Sequence, residues 1–137
     1  MTRIIVIDVP APVFPPIRKR ATGKHRPHPI WLNSNDKNMH RMTEAKIARA
    51  WRAAAAEAAA GIAALTPPVR IVAKVWKPRA GRYDPNNLAP TAKPCVDGLV
   101  DAGLLEDDDY TRVLGPDMRH GGVGQPRLVL MIEEERP

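Results

Sequence analysis

The chain of 137 residues suffices for one domain and is short for two well-packed ones. Apolar residues make up 44% of it, but nineteen of them are alanine, so the core of large side chains is modest. No stretch approaches the ~20 apolar residues of a membrane span, Met1 to Pro10 does not read as a signal peptide, and the single cysteine, Cys95, excludes an internal disulfide framework. These features point to a reducing cytoplasm and away from membrane and secreted classes.

The net charge of +6 hides a strong asymmetry. Residues 1–83 hold sixteen Lys/Arg against four Asp/Glu, a balance of +12, and residues 84–137 hold five against eleven, a balance of −6. Six of the fifteen acids fall between Asp97 and Asp109. A basic surface beside a local acidic knot suits a polyanion partner, with carboxylates turned toward it. An ordinary solvated, dipolar protein is the plainer alternative.

Along the chain, Thr2 to Val9 predicts a strand that Pro10 ends. From there to Pro29 run six prolines and five cations, Arg18, Lys19, Arg20, Lys24 and Arg26, a basic extended loop able to track phosphates. His25 and His28 lie in it without the further ligands a metal site needs. Trp31 to Asn38 reads as an irregular connector.

Thr43 is placed to cap a long helix running to about Leu65. Ile47, Trp51, Ala54, Ala58, Ile62 and Leu65 mark its buried stripe. After Pro67-Pro68, the alternation of Val69, Ile71, Ala73 and Val75 with Arg70, Val72, Lys74 and Trp76 predicts a half-buried strand, followed by a basic turn containing Arg79 and Arg82. A second helix is expected to begin between Thr91 and Pro94, with Val96, Leu99, Val100 and Gly103 inward. Tyr110 to Leu114 and Pro126 to Glu133 read as the last strands, with Arg119 to Gly124 a flexible loop between them. The expected architecture is a mixed α/β fold in a single small domain over residues 1–137, a mixed β-sheet of about four strands packed with two main helices.

Of the aromatic residues, Trp51 falls on the apolar stripe, while Trp31, Trp76 and Phe14 are each open to a DNA-contacting or a packing role.

The chemistry concentrates in two acidic segments separated by the second helix. Asp84-Pro85-Asn86-Asn87-Leu88 precedes it and Glu106-Asp107-Asp108-Asp109 follows it, so the helix and a return strand can bring both to one sheet edge. Clustered carboxylates stay ionised cheaply only beside a cation, and oxygen donors without Cys or His suit Mg²⁺ or Mn²⁺. Lys93 stands at the start of the intervening helix, where its ammonium can neutralise charge on a phosphate. The plain alternative is a turn followed by a solvated loop.

Asp84-Pro85-Asn86-Asn87-Leu88, Lys93 four residues before Asp97, Gly98-Leu99, Ala102-Gly103 and Asp107-Asp108 together resemble the RusA family of Holliday-junction resolvases, small phage- and prophage-associated enzymes. The dense likeness covers about residues 82–109, with looser similarity over most of the chain. It implies a homodimeric, Mg²⁺-dependent endodeoxyribonuclease that cuts four-way DNA junctions, working in the host cytoplasm if phage-encoded. By this resemblance Asp84, Asp108 and Lys93 carry catalysis. Asp84, Asn86, Asp107 and Asp108 hold the metal, and Asn87 and Lys93 join the basic residues Arg18, Lys19, Arg20, Lys24, Arg26, Arg79 and Arg82 on DNA. Asp97 pairs with Lys93 across one helical turn.

Two departures stand out. Asn86 occupies a position where the family often has a second aspartate, so it brings an oxygen without charge, which Asp107 or Asp109 would have to offset. Three extra residues, Pro90 among them, separate Leu88 from Lys93 relative to the shortest family spacing. The rival readings are a branched-DNA-binding protein without catalysis, a metal-dependent nuclease acting on flaps, single strands or RNA, and a structural or protein-interaction module.

Overall fold

The computed structural model describes residues 2–15 and 27–135. Strand β1 spans Ile4–Pro10, and two short strands, β2 (Val13–Phe14) and β3 (His28–Pro29), pair with each other. Helix α1 spans Arg41–Ala59, β4 Val69–Lys77, α2 Ala89–Asp101, β5 Val113–Val123 and β6 Arg127–Glu134. The main sheet has the order β1-β6-β4-β5, with β6 antiparallel to both neighbours and β4 parallel to β5. The result is the expected mixed α/β fold, four strands packed with two helices. Arg18, Lys19, Arg20, Lys24, His25 and Arg26 lie outside the described residues.

Period-two alternation sets the sheet's buried face. Ile7 and Val9 of β1, Leu128, Leu130 and Ile132 of β6, and Val69, Ile71, Ala73 and Val75 of β4 are all buried and belong to one apolar core with the helices. The register aligns them in rows: Ile7, Leu130 and Ala73 form one, and Val9, Leu128 and Val75 the next. Among the described residues no helix is long and apolar enough to cross a membrane.

Helix α1 differs from its expected bounds at both ends. His40, rather than Thr43, caps it, with Nδ1 accepting from the Met42 amide at 3.1 Å. The helix stops at Ala59 rather than Leu65 because Gly61 turns left-handed, at φ +78°. Its buried residues are Ile47, Trp51, Ala55 and Ala59, a stripe one position off the expected Ala54 and Ala58, which are only half-buried. Leu65 still enters the core, from an extended tail whose amide bonds the Leu104 carbonyl at 2.9 Å.

Helix α2 starts two residues earlier than the expected range. Asp84 caps a 3₁₀ turn over Pro85–Leu88 that runs straight into Ala89, so Pro90 rather than Pro94 is the first-turn proline. Pro94 lies one turn on and lacks the amide that would bond back toward Pro90.

The strand expected at Tyr110 begins at Val113, and the expected loop at 119–124 is largely strand, since β5 continues to Val123. Gly121 and Gly122 read as loop residues in sequence, yet their bare backbone supports the flat Trp76 indole: a Cβ on either would lie 2.5–2.6 Å from it. Gly115, at φ +107°, forms with Pro116 the bulge that shifts the β4–β5 register between Arg70 and Val72.

Each of the aromatic side chains Trp31, Trp51, Trp76 and Phe14 has a packing contact within the fold. Trp51 is fully buried, its Nε1 donating to the Ile30 carbonyl at 2.9 Å, and the Trp31 ring rests against it at 4.8 Å between centroids. Phe14 packs on the core from β2. Trp76 is half-buried under the Arg127 guanidinium, 4.3 Å above its ring.

The two helices touch where both are smallest. A Cβ on Gly98 would lie 2.2 Å from the Arg52 carbonyl oxygen and 3.0 Å from the Ala55 Cβ, so the contact requires glycine. Nearby, Arg52 clamps Asp101 through two hydrogen bonds of 2.6 and 2.8 Å, holding that carboxyl below its ordinary range. Gly98→Ala should therefore lower stability by ~1–3 kcal/mol, the range for overpacking a close contact, read as a lower urea midpoint.

Candidate active site

The segment 78–83 leads from the end of β4 to Asp84. The Asp84 Oδ1 accepts from the Asn86 amide at 2.9 Å and its carbonyl from the Asn87 amide at 3.0 Å, which closes the turn that launches α2. Asn87 is fixed in turn by the connector: its carbonyl accepts from the Ser34 amide at 2.8 Å, and Oδ1 accepts from the Ser34 hydroxyl at 3.3 Å. Thr91, fully buried, ties the same connector to α2 by exchanging two 2.8 Å hydrogen bonds with the Leu32 backbone. This double anchor compensates for the irregular approach to the helix.

One turn into α2, the Lys93 ammonium donates to Asp97 Oδ1 at 2.8 Å, the expected pair across one turn, and to Asp108 Oδ2. The three extra residues before Lys93 therefore leave it facing the second acidic segment. Asp108 also receives order from its neighbour, since its amide donates to Asp107 Oδ1 at 2.8 Å. The Lys93 ammonium holds the Asp108 carboxyl below its ordinary value, and Asp108 followed by Asp97 raises the lysine in return.

Asp109 and Glu106 point elsewhere. Asp109 Oδ1 accepts from the Thr111 amide at 2.8 Å and also from its hydroxyl, while Arg112 bonds Asp109 and, at 3.1 Å, Glu106. Those contacts, the Thr111 hydroxyl foremost, depress the Asp109 carboxyl. Asp109 is thus committed to the turn that starts β5 and is poorly placed to offset the missing charge at Asn86.

Two open hollows flank this arrangement. Arg82, Tyr83, Asp84, Pro85 and His120 line one, and Lys93, Asp108, Ala89, Val96, Pro116 and Met118 line the other. In the first, the Tyr83 hydroxyl bonds His120 Nδ1 and the Lys77 ammonium sits 4.3 Å over the Tyr83 ring. His120 and Tyr83 were not legible as site residues, because His120 falls in a stretch whose glycines read as loop. Arg82 is exposed at this hollow, and Arg79, three residues earlier in the chain, is exposed as well.

Asp84, Asn86, Asp107 and Asp108 offer oxygen donors alone, which fits a hard divalent cation by type. Among the described residues no three His, Cys, Asp or Glu side chains gather into one metal-holding group. Mg²⁺ commonly takes only one or two carboxylates and completes its shell with water and substrate phosphates, so it does not need three such side chains in one group.

The buried Cys95 thiol lies 3.9 Å from the Trp51 carbonyl, and burial pushes its pKa far up, so it is no nucleophile at neutral pH. No protein-family model and no curated protein matches the chain.

The Lys93–Asp108 pair has a defined pH signature. Because the folded Asp108 pKa is depressed, its contribution is present above the ordinary carboxylate value and is lost as pH falls through the folded value. A carboxyl-carbon NMR titration should place the Asp108 midpoint below that of an ordinary aspartate, and Lys93→Met should move it upward. An unchanged midpoint in the variant would show that Lys93 does not set it.

Proposed function

We propose that this chain is a RusA-like, Mg²⁺-dependent endonuclease that resolves four-way DNA junctions as a symmetric dimer in the cytoplasm. The observation that carries the reading is the Lys93 ammonium held between Asp97 and Asp108, one turn beyond the loop that Asp84 caps. A lone structural pair would need one carboxylate. Here a chain-distant second one is drawn to the same cation, at the helix end next to a turn rich in oxygen donors. The concentration of basic residues in positions 1–83 supplies the complementary attraction for phosphate.

In this reading Asp84, Asn86, Asp107 and Asp108 hold Mg²⁺, which when bound supplies positive charge to stabilise the phosphodiester during hydrolysis. Lys93 releases Asp108 to that role and turns its ammonium to the negative charge that develops on the scissile phosphate. Asp97 keeps the lysine protonated and limits its swing. Arg79, Arg82 and Asn87 fix the strand through its phosphates, together with Arg18, Lys19, Arg20, Lys24 and Arg26. Two sites related by a two-fold axis match the paired cuts that resolution of a junction requires.

Asn86 and the separate hollows of Asp84 and Asp108 favour one alternative, junction binding without cleavage. One experiment separates the two. Labelled four-way junction should be nicked symmetrically in Mg²⁺ and not in EDTA, with matched duplex, flap and single-stranded controls left intact. Asp84→Asn and Asp108→Asn should each lower the rate at least ~100-fold while retaining binding, a loss on the scale of a removed charge-stabilising group. Tight binding with no cut in Mg²⁺ or Mn²⁺ would establish the non-catalytic reading, and cleavage confined to flaps or single strands would assign a different nuclease.

A further inference from the structure

The hollow at Asp84 holds an imidazole that neither the core nor the carboxylates use. Alternation along β5 buries Met118 opposite Ala73 and carries His120 out on the same face of the sheet, opposite Val75. Just beyond it the β4–β5 register shifts between Val75 and Trp76. The extra residue is Gly121, whose bare backbone leaves room for the Trp76 indole. That bulge sets the place where His120 leaves the sheet and meets the chain entering the Asp84 turn.

Tyr83 fixes the ring. Its hydroxyl bonds His120 Nδ1, the two rings meet edge-on at 5.5 Å between centroids and 72°, and the Lys77 ammonium covers the Tyr83 face at 4.3 Å. Burial pushes the phenol up, so the hydroxyl keeps its proton at neutral pH. Nδ1 is the one partner of that hydroxyl among the described residues, and the hydroxyl proton is therefore assigned to this bond. Nδ1 is then the acceptor, and the neutral ring carries its own proton on Nε2. Nε2 has no partner among the described residues, and His120 is exposed.

The hollow that this donor lines has a volume of about 510 Å³ and is open along one side. Arg82 lines it too, beside Tyr83. An open trough with a cation and an oriented uncharged N–H suits an extended phosphodiester strand, whereas small ligands are enclosed on most sides. Asp84, on the same wall, repels a phosphate laid directly against it, which leaves the His120 and Arg82 side for that group.

We propose that His120 is a phosphate-binding residue, its Nε2–H donating to a non-bridging oxygen of the DNA strand that crosses the Asp84 hollow, with Tyr83 as its positioning residue and Arg82 supplying the charge. The assignment rests on the junction-binding part of the function proposed above and not on cleavage.

The test is binding of a labelled four-way junction in EDTA across a range of KCl concentrations, with circular dichroism to verify folding. His120→Phe should raise the dissociation constant about tenfold at every salt concentration. The slope of log affinity against log salt should stay unchanged, because a neutral donor displaces no counterion, whereas Arg82→Gln should lower that slope by about one. Tyr83→Phe keeps the imidazole but lets it turn, and should weaken binding about threefold. His120→Gln, which offers an amide N–H in place of Nε2, should stay within about threefold of the wild type. A neutral methylphosphonate scanned along the strand near the crossover should weaken the wild type at one phosphate where it leaves His120→Phe unaffected. Equal losses in Tyr83→Phe and His120→Phe would show that the pair only pins the loop and would overturn the contact. So would a changed salt slope in His120→Phe, unaltered affinity in that variant, a methylphosphonate scan with no such phosphate, or a wild type that binds no junction. Cleavage in Mg²⁺ on the same samples bears on the nuclease reading alone, so either can fail without the other.

Discussion

The close approach of the two helices at Gly98 governs where everything else can lie. Because the Arg52 carbonyl and Ala55 occupy the space a side chain would need, α2 rests backbone-to-backbone on α1, and the alanine-rich sequence of α1 makes that surface shallow enough. The height of α2 above the sheet then fixes Lys93, one turn from its start, and the turn of Asp84 before it. The Asp101–Arg52 clamp holds the other end of the contact, so the helix can neither roll nor slide without breaking an ion pair.

With α2 fixed, the two acidic segments take separate places, Asp108 against Lys93 and Asp84 beside another hollow. Their separation of some twenty residues in sequence is spanned by a single helix and its reversal. The chain returns past Gly103, at φ +79°, to place Asp108 against Lys93. A like-charged knot of four consecutive acids would repel itself. It persists because Arg112 takes Glu106 and Asp109, while Lys93 takes Asp108.

Much of this was legible from residue order. Alternation gave the buried face of β4, and helical spacing gave Ile47 and Trp51, because burial of large apolar side chains dominates those elements. The Lys93–Asp97 pair followed from their spacing of four. Element ends were not legible: whether Thr43 or His40 caps α1, or Pro90 or Pro94 opens α2, turns on local hydrogen bonds of about 1 kcal/mol that tertiary contacts override. The C-terminal half of β5 was hidden for a different reason. Its glycines carry no strand signal and are there to accommodate the Trp76 ring from a neighbouring strand, a relation visible only once the sheet is assembled. Tyr83 and His120 met for the same reason, being 37 residues apart and joined through that strand.

Cys95 gives the helix contact a chemical reporter. The thiol sits fully buried beside the Trp51 carbonyl, with its proton held by the apolar surroundings, so alkylating reagents and oxidants reach it only when α2 lifts from α1. Its labelling rate is thus a clock for the opening of that seam. With no other cysteine in the chain, the signal has a single source.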